Sequence, residues 1–182
     1  MLTALTFATF MPGCRCQFFN IDSNFQYDCE MVKKIEDSHI SWFICTISSG
    51  ARHNWDIAKE FKLWGIPTSG RKVDLSLAKK NDNLIFYLAS KGLVAHAHLT
   101  GGMKVPMSKE DAPWAGGVYR YGVVMPFNLD LELTTPLLKP FKNNLIEGTN
   151  ISTVGLRKGF TRISSDDGLT LVNAMKLHAK IK

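Results

Sequence analysis

No run of 18 apolar residues occurs anywhere in this chain, which excludes an ordinary hydrophobic membrane-spanning helix. The amino-terminal stretch Met1 to Gly13 is mildly apolar, but it has no basic region at its start and contains Pro12, so it makes a poor signal peptide. Met11-Pro12-Gly13-Cys14 only weakly imitates a lipoprotein cleavage site. The expectation is a cytoplasmic protein with no membrane partner. Also missing are a Gly-x-Ser-x-Gly elbow, a phosphate loop, paired carboxylates at a plausible site and any internal repeat. These absences argue against the common hydrolase and nucleotide-hydrolysing classes and against a solenoid. Cysteine is scarce: Cys14, Cys16, Cys29 and Cys45 are the full set. Cys14-Arg15-Cys16 is one residue too close for a zinc knuckle and has no second pair. Cys45 falls in an apolar run where a thiol acts as a small hydrophobe. No metal or cofactor is expected.

What is present suits a single globular domain with a proper core: 182 residues, 45% hydrophobic and 21% charged. The formal charge is +6 with a pI of about 9.2, which favours a polyanionic partner. The charge is uneven. Arg15 opposes Asp22, Asp28 and Glu30 in the first 30 residues, so the basic character belongs to the body of the protein. Residues 1–38 read as an amino-terminal extension, with a natural polar start at Met31-Val32-Lys33-Lys34-Ile35, and residues 39–182 as the folded domain.

Along that domain, Trp42 to Ile47 is an apolar run rich in β-branched and aromatic residues, predicting a strand. After a loop, Ile57, Phe61 and Trp64 recur at one-turn spacing among Asp56, Lys59, Glu60 and Lys62, predicting a short helix stopped by Gly65 and Pro67. Val73 to Lys80 reads as one or two helical turns. Leu84 to Ala89 is a continuous apolar run expected of a strand covered on both faces. Leu93, Ala95, Ala97 and Leu99 alternate with Val94, His96 and His98, predicting a strand with a histidine-bearing face. Residues 100–116 form a long loop carrying Trp114, of the kind that often serves binding. Alternation resumes over Gly117 to Met125 and again over Leu129 to Leu133. Thr135 to Leu138 reads as a helical turn, Asn150 to Thr153 as the start of a short element, and Gly155 to Ile163 as a basic strand or turn. Ser164 or Ser165 caps a final helix with Leu169, Val172, Met175 and Ala179 as its apolar stripe. The fold class is mixed α/β (α+β), with about five or six strands and short peripheral helices.

Trp42-Phe43-Ile44-Cys45, then Asn54-Trp55 with Trp64-Gly65-Ile66-Pro67 ten residues on, then Leu84-Ile85-Phe86-Tyr87 and Tyr119-Arg120-Tyr121, together resemble an EVE domain. EVE domains are β-barrel modules of the PUA-like superfamily and relatives of YTH domains. The resemblance spans Ser41 to Met175. It implies a reader of DNA or RNA in which a flipped, modified base sits in an aromatic cage, and it implies that a nuclease or motor subunit can accompany the module. Carried over residue by residue, Trp64 is one cage wall, Asn54 reads the base edge and the Gly65 backbone lines the pocket. Trp114, just before Ala115-Gly116-Gly117-Val118, is the second wall. Arg52, Lys59, Lys62, Arg71 and Lys72 lie near this pocket in sequence and suit phosphate contacts, with Arg157, Lys158 and Arg162 as a second basic group.

Each of these residues has a plainer reading. Trp64 on an apolar helix face is core, as Trp42 and Trp55 are; Asn54 is a helix N-cap, Trp114 a loop anchor and the basic residues a solvated face. His96 and His98, two apart on one strand face, have no third ligand at metal spacing and read as structural. Two alternatives of other classes stand beside the reader. An ASCH-like hydrolase of modified nucleosides would draw on Lys62, Tyr87 and Glu110, and a module binding a peptide or small ligand would use the same pocket without salt dependence.

Overall fold

The computed structural model describes residues 40–68 and 73–180. The extension 1–38 with Cys14, Cys16 and Cys29, and the basic turn holding Arg71 and Lys72, lie outside the described residues. The elements run β1 (Trp42–Ile47), a 3-10 turn (Ser49–Ala51), α1 (Arg52–Phe61), β2 (Leu63–Pro67), β3 (Asn83–Leu88), β4 (Gly92–Leu99), α2 (Gly117–Arg120), β5 (Tyr121–Leu137), the short pair β6 (Phe141–Lys142) and β7 (Leu145–Ile146), α3 (Thr153–Arg157), β8 (Phe160–Ile163) and α4 (Ser165–Lys180). Six strands form one curled sheet in the order β2-β5-β4-β3-β1-β8. Only β1 and β3 pair in parallel. A parallel pair cannot be closed by a hairpin, and the crossover between them carries α1 and β2. The expected mixed α+β architecture is therefore present, as an open half-barrel rather than a closed one.

β1 and β3 are apolar except for Thr46 and Asn83 because both their faces are covered. Phe43, Cys45, Leu84, Phe86 and Leu88 join a first core with Trp55 and Ala58 of α1, whereas Ile44, Ile85 and Tyr87 join a second core under Leu171, Val172 and Met175 of α4. The two cores sit on opposite sides of one sheet. The stripe on α4 is thus Leu171, Val172 and Met175 flanked by Gly168, while Leu169 is half exposed.

Four local expectations need correction. The helix expected to run to Trp64 ends at Lys62, which adopts the left-handed conformation (φ 51), and Trp64 to Pro67 lies in a strand. Its buried residues are Trp55 and Ala58, with Phe61 outside the core. Val73 to Lys80 forms turns without a helix. Thr135 to Leu137, read as a helical turn, continues β5, and the two separate strands expected over 117–133 are one helical turn followed by that same long strand. Partners across the sheet outweigh local spacing there: Leu137 opposes Leu93. In β4 the alternation holds for Ala95, His96, Ala97 and His98, but a register shift between Leu93 and Ala95 brings Val94 into the same core as Ala95.

The histidine face of β4 is occupied by partners. His96 stacks on Trp42 at 5.7 Å and its Nε2 lies 2.9 Å from Asn83 Oδ1, while His98 Nδ1 meets Asp130 Oδ1 at 2.7 Å. Burial pushes the His96 imidazole below the ordinary histidine range, against the upward pull of Asp130; Lys176 and His98 add to the lowering. Protonation of His96 therefore favours the unfolded chain. Its contribution to stability is complete above about pH 6.5 and is lost as pH falls through the depressed folded value.

Two outcomes follow for the fold. The urea midpoint falls between pH 7.5 and pH 5, and this fall is shallower in His96→Gln; equal slopes would remove His96 from the account. A Cβ at Gly168 would collide with the Trp42 ring, so Gly168→Ala loses about 1–3 kcal/mol in urea unfolding despite the better helix propensity of alanine.

Candidate nucleic-acid interface

α1 begins at Arg52 with Ala51 at the N-cap position, and no side chain caps it. Asn54 is therefore not a cap. It sits in the first turn, and its side chain reaches across the domain instead: Nδ2 donates to the Tyr121 hydroxyl at 3.1 Å. Tyr121 opens β5, which pairs with β2 and places Tyr121 opposite Pro67. The Trp114 indole arrives from the 100–116 loop, donates from Nε1 to the Asn54 carbonyl at 3.1 Å and packs against Tyr121 with ring centroids 4.9 Å apart. Gly65 completes the set. A Cβ there would lie 2.6 Å from Trp114 Cζ3 and 2.8 Å from Tyr121 Cδ1, so only glycine lets both rings rest on β2.

Four elements thus bring Asn54, Gly65, Trp114 and Tyr121 to one spot. The sequence alone does not single out Tyr121: alternation over Gly117 to Met125 puts the Tyr119-Arg120-Tyr121 run in mid-strand, whereas the strand begins at Tyr121.

Trp64 is placed differently. Successive residues of a strand point to opposite faces, so with Gly65 facing Trp114 and Tyr121, Trp64 is directed toward Phe86, which it meets edge-on at 5.3 Å. The two indoles paired as walls in the sequence reading do not face each other here. Trp64 is 9% exposed and Trp114 4%, so the site is closed. Among the described residues three buried side-chain polar atoms have no hydrogen-bond partner: Asn54 Oδ1, in this site, and Trp64 Nε1 and Thr46 Oγ1, outside it. An unpaired buried polar atom costs about 1–3 kcal/mol.

The loop bearing Trp114 is tied down. Lys104 Nζ meets Asp111 Oδ1 at 2.9 Å, Asp111 Oδ2 accepts from Met107 N at 3.1 Å, and Met103, Pro106 and Ala112 are buried with Trp114. The Lys104 ammonium, with the Met107 amide, holds the Asp111 carboxyl below the usual carboxylate range. Just past Trp114, Gly116 (φ 91) and Gly117 (φ 47) adopt positive φ.

The basic candidates do not form one group. Arg52 is exposed at the start of α1. Lys59 Nζ is held by Glu132 at 2.8 Å and Asp56 at 3.7 Å, and it lies 5.6 Å from the Trp55 ring, so its charge is already matched. Lys62 is exposed and lines a cleft of about 440 Å³ with Lys59, His98 and Asn128. Arg157 and Lys158 are exposed at the end of α3, and Arg162 donates to Ser41 Oγ at 3.0 Å from β8, at the far end of the strand order from β2. The three hydrolase candidates stay apart as well. Tyr87 is buried in the core under α4, Glu110 is exposed in the loop and Lys62 ends α1 on the other side of the sheet.

Gly65→Ala is expected to displace the Trp114 and Tyr121 rings, lowering stability by about 1–3 kcal/mol and changing the near-ultraviolet circular dichroism. An unchanged spectrum would show that the rings do not rest on Gly65.

No family model and no curated protein matches this chain. Among solved structures it is similar to the Mmi1 YTH domain, at 11% identity and a TM-score of 0.52 over 78% of each chain. It also matches the YTH domain of Zygosaccharomyces rouxii MRB1 in complex with N6-methyladenosine RNA, at 14% identity and a TM-score of 0.49 over 76% of this chain and 86% of that one. A third match is the Toxoplasma CPSF4 YTH domain with a 7-mer m6A-modified RNA, at 14% identity and a TM-score of 0.49 over 75% and 90%. At these identities the likeness to the Mmi1 domain establishes a shared fold.

Proposed function

We propose that this chain is a reader module that binds nucleic acid through one modified base, taken at the Gly65, Trp114 and Tyr121 site and read at its edge by Asn54. The observation that carries this reading is the convergence of Asn54, Gly65, Trp114 and Tyr121 on one closed spot where Asn54 Oδ1 is buried without a partner. A base edge offers donors, so an entering base can relieve this orphaned acceptor. Support comes also from the EVE-like residue pattern, from the fold shared with the Mmi1 YTH domain and from the basic charge of the chain.

The closed site implies motion. A base can enter only if the Trp114 indole leaves Gly65, which requires release of the Lys104–Asp111 contact that ties down its loop. Energetically the balance is narrow. Stacking on an aromatic face is worth about 1–3 kcal/mol and an added methyl about 0.8 kcal/mol, against a few kcal/mol for extracting a base from a stack. A methyl thus tips a nearly even balance, which is what a discriminating reader requires.

The test is a fluorescence-anisotropy panel of short single- and double-stranded RNA and DNA at two salt concentrations, each carrying N6-methyladenine, 5-methylcytosine, 5-hydroxymethylcytosine or no modification. One modification is expected to bind at least about fourfold more tightly than its unmodified parent, with affinity falling as salt rises. Asn54→Ala is expected to lose most of that preference while keeping weak binding. Trp64→Ala, on the other face of β2 against Phe86, tests stability instead of recognition, so Asn54→Ala decides. Absence of binding to every oligonucleotide would sink the reading.

A further inference from the structure

Tyr119 is 98% exposed, on the single helical turn that joins the Gly116–Gly117 pair to β5. Solitary exposed apolar side chains are common and need no account; Met107, 85% exposed, is one. Tyr119 differs by its position. It is two residues from Tyr121, whose hydroxyl accepts from Asn54 and whose ring packs on Trp114, and it is five residues past Trp114 itself. Its neighbour Arg120 is exposed and holds its guanidinium 5.5 Å from the Tyr121 ring centroid. The rim of the site therefore carries an unpacked phenol ring and a cation side by side.

The turn that presents them is fixed. Gly117 N donates to Trp114 O at 2.9 Å, Arg120 N to Gly116 O at 3.3 Å, and Thr68 N at the end of β2 to Arg120 O at 3.3 Å. A ring held on an anchored backbone and left in water gains nothing for the fold, whereas packing it would bury apolar area worth roughly 25 cal/mol per Å². What such a ring offers is a flat face with few rotamers to lose on contact.

We infer that Tyr119 is a stacking platform for the base adjacent to the one held in the site, with Arg120 beside it for the intervening phosphate. This rests on the reader function proposed above and adds a second base position to it. A single strand presents that base face freely, whereas a duplex presents it only where flipping the modified base has broken the stack. An Arg guanidinium beside an aromatic ring adds charge to the same platform without sequence preference.

The experiment uses the full chain and the modified single strand selected by the panel, with 2-aminopurine placed immediately 5′ or immediately 3′ of the modified base. Binding should quench 2-aminopurine on one side, and Tyr119→Ala should abolish that quenching and weaken the single strand about five- to 150-fold. Tyr119→Phe should retain both. Because Tyr119 touches little, these substitutions leave the fold intact, and selectivity for the modification should survive in Tyr119→Ala. Selective binding with no quenching on either side, or with quenching and affinity unchanged in Tyr119→Ala, overturns the platform and leaves the reader standing. Loss of selectivity in Tyr119→Ala would mean that Tyr119 acts on the base site itself, which also overturns it. If no oligonucleotide binds wild-type protein, the reader reading fails and takes the platform with it.

Discussion

The handover of one strand between two partners sets the geometry of everything else in this domain. β5 runs for 17 residues, pairing with β2 over Tyr121 to Pro126 and with β4 from Phe127 to Leu137. At the changeover stands Pro126, which has no amide hydrogen to donate, while its carbonyl accepts from Thr100 and the next amide, Phe127, donates to Lys62 O. A flat sheet would put β2 and α1 out of reach of the loop that carries Trp114. The bent strand curls the sheet so that the start of α1, the middle of β2 and the first residue of β5 share one neighbourhood.

That neighbourhood trades stability for availability. The two buried carboxylates among the described residues are well matched: Asp82 accepts from Ser41 N and Lys79 N, and Asp167 accepts from Asn150 N while its own amide is capped by Ser164. Among the described residues, Asn54 Oδ1, Trp64 Nε1 and Thr46 Oγ1 stay unpaired. Polar burial without partners is what selection for stability alone removes, and Asn54 Oδ1 is the one such atom beside the Trp114 and Tyr121 rings.

Charge follows a different logic. The basic excess is real, yet the structure spends part of it internally: Lys59 on Glu132 and Asp56, Lys104 on Asp111. What remains free for a polyanion is dispersed over the end of α1, Arg120 and the α3–β8 edge, which suits a field that attracts a strand more than a template that fixes its register.

The sequence by itself determined the strands β1, β3 and β4, the terminal helix and the burial of Trp42 and Trp55, because continuous apolar runs, period-2 alternation and a serine cap report local chemistry that no distant contact reverses. It also picked out Asn54, Gly65 and Trp114, through spacing that resembles a known module. It misplaced Trp64 on a helix end, since the 3.6-residue spacing of Ile57, Phe61 and Trp64 cannot show that Lys62 will turn left-handed and hand the chain to β2. It missed Tyr121 and divided β5, because strand length there is set by β2 and β4, partners far away in the chain. Tertiary structure alone decided that Asn54 bonds Tyr121 rather than capping its helix, that Gly65 is the floor for two rings and that Lys59 is already neutralised. Each of these depends on which residues a bent strand brings together, and that geometry is a property of the whole sheet.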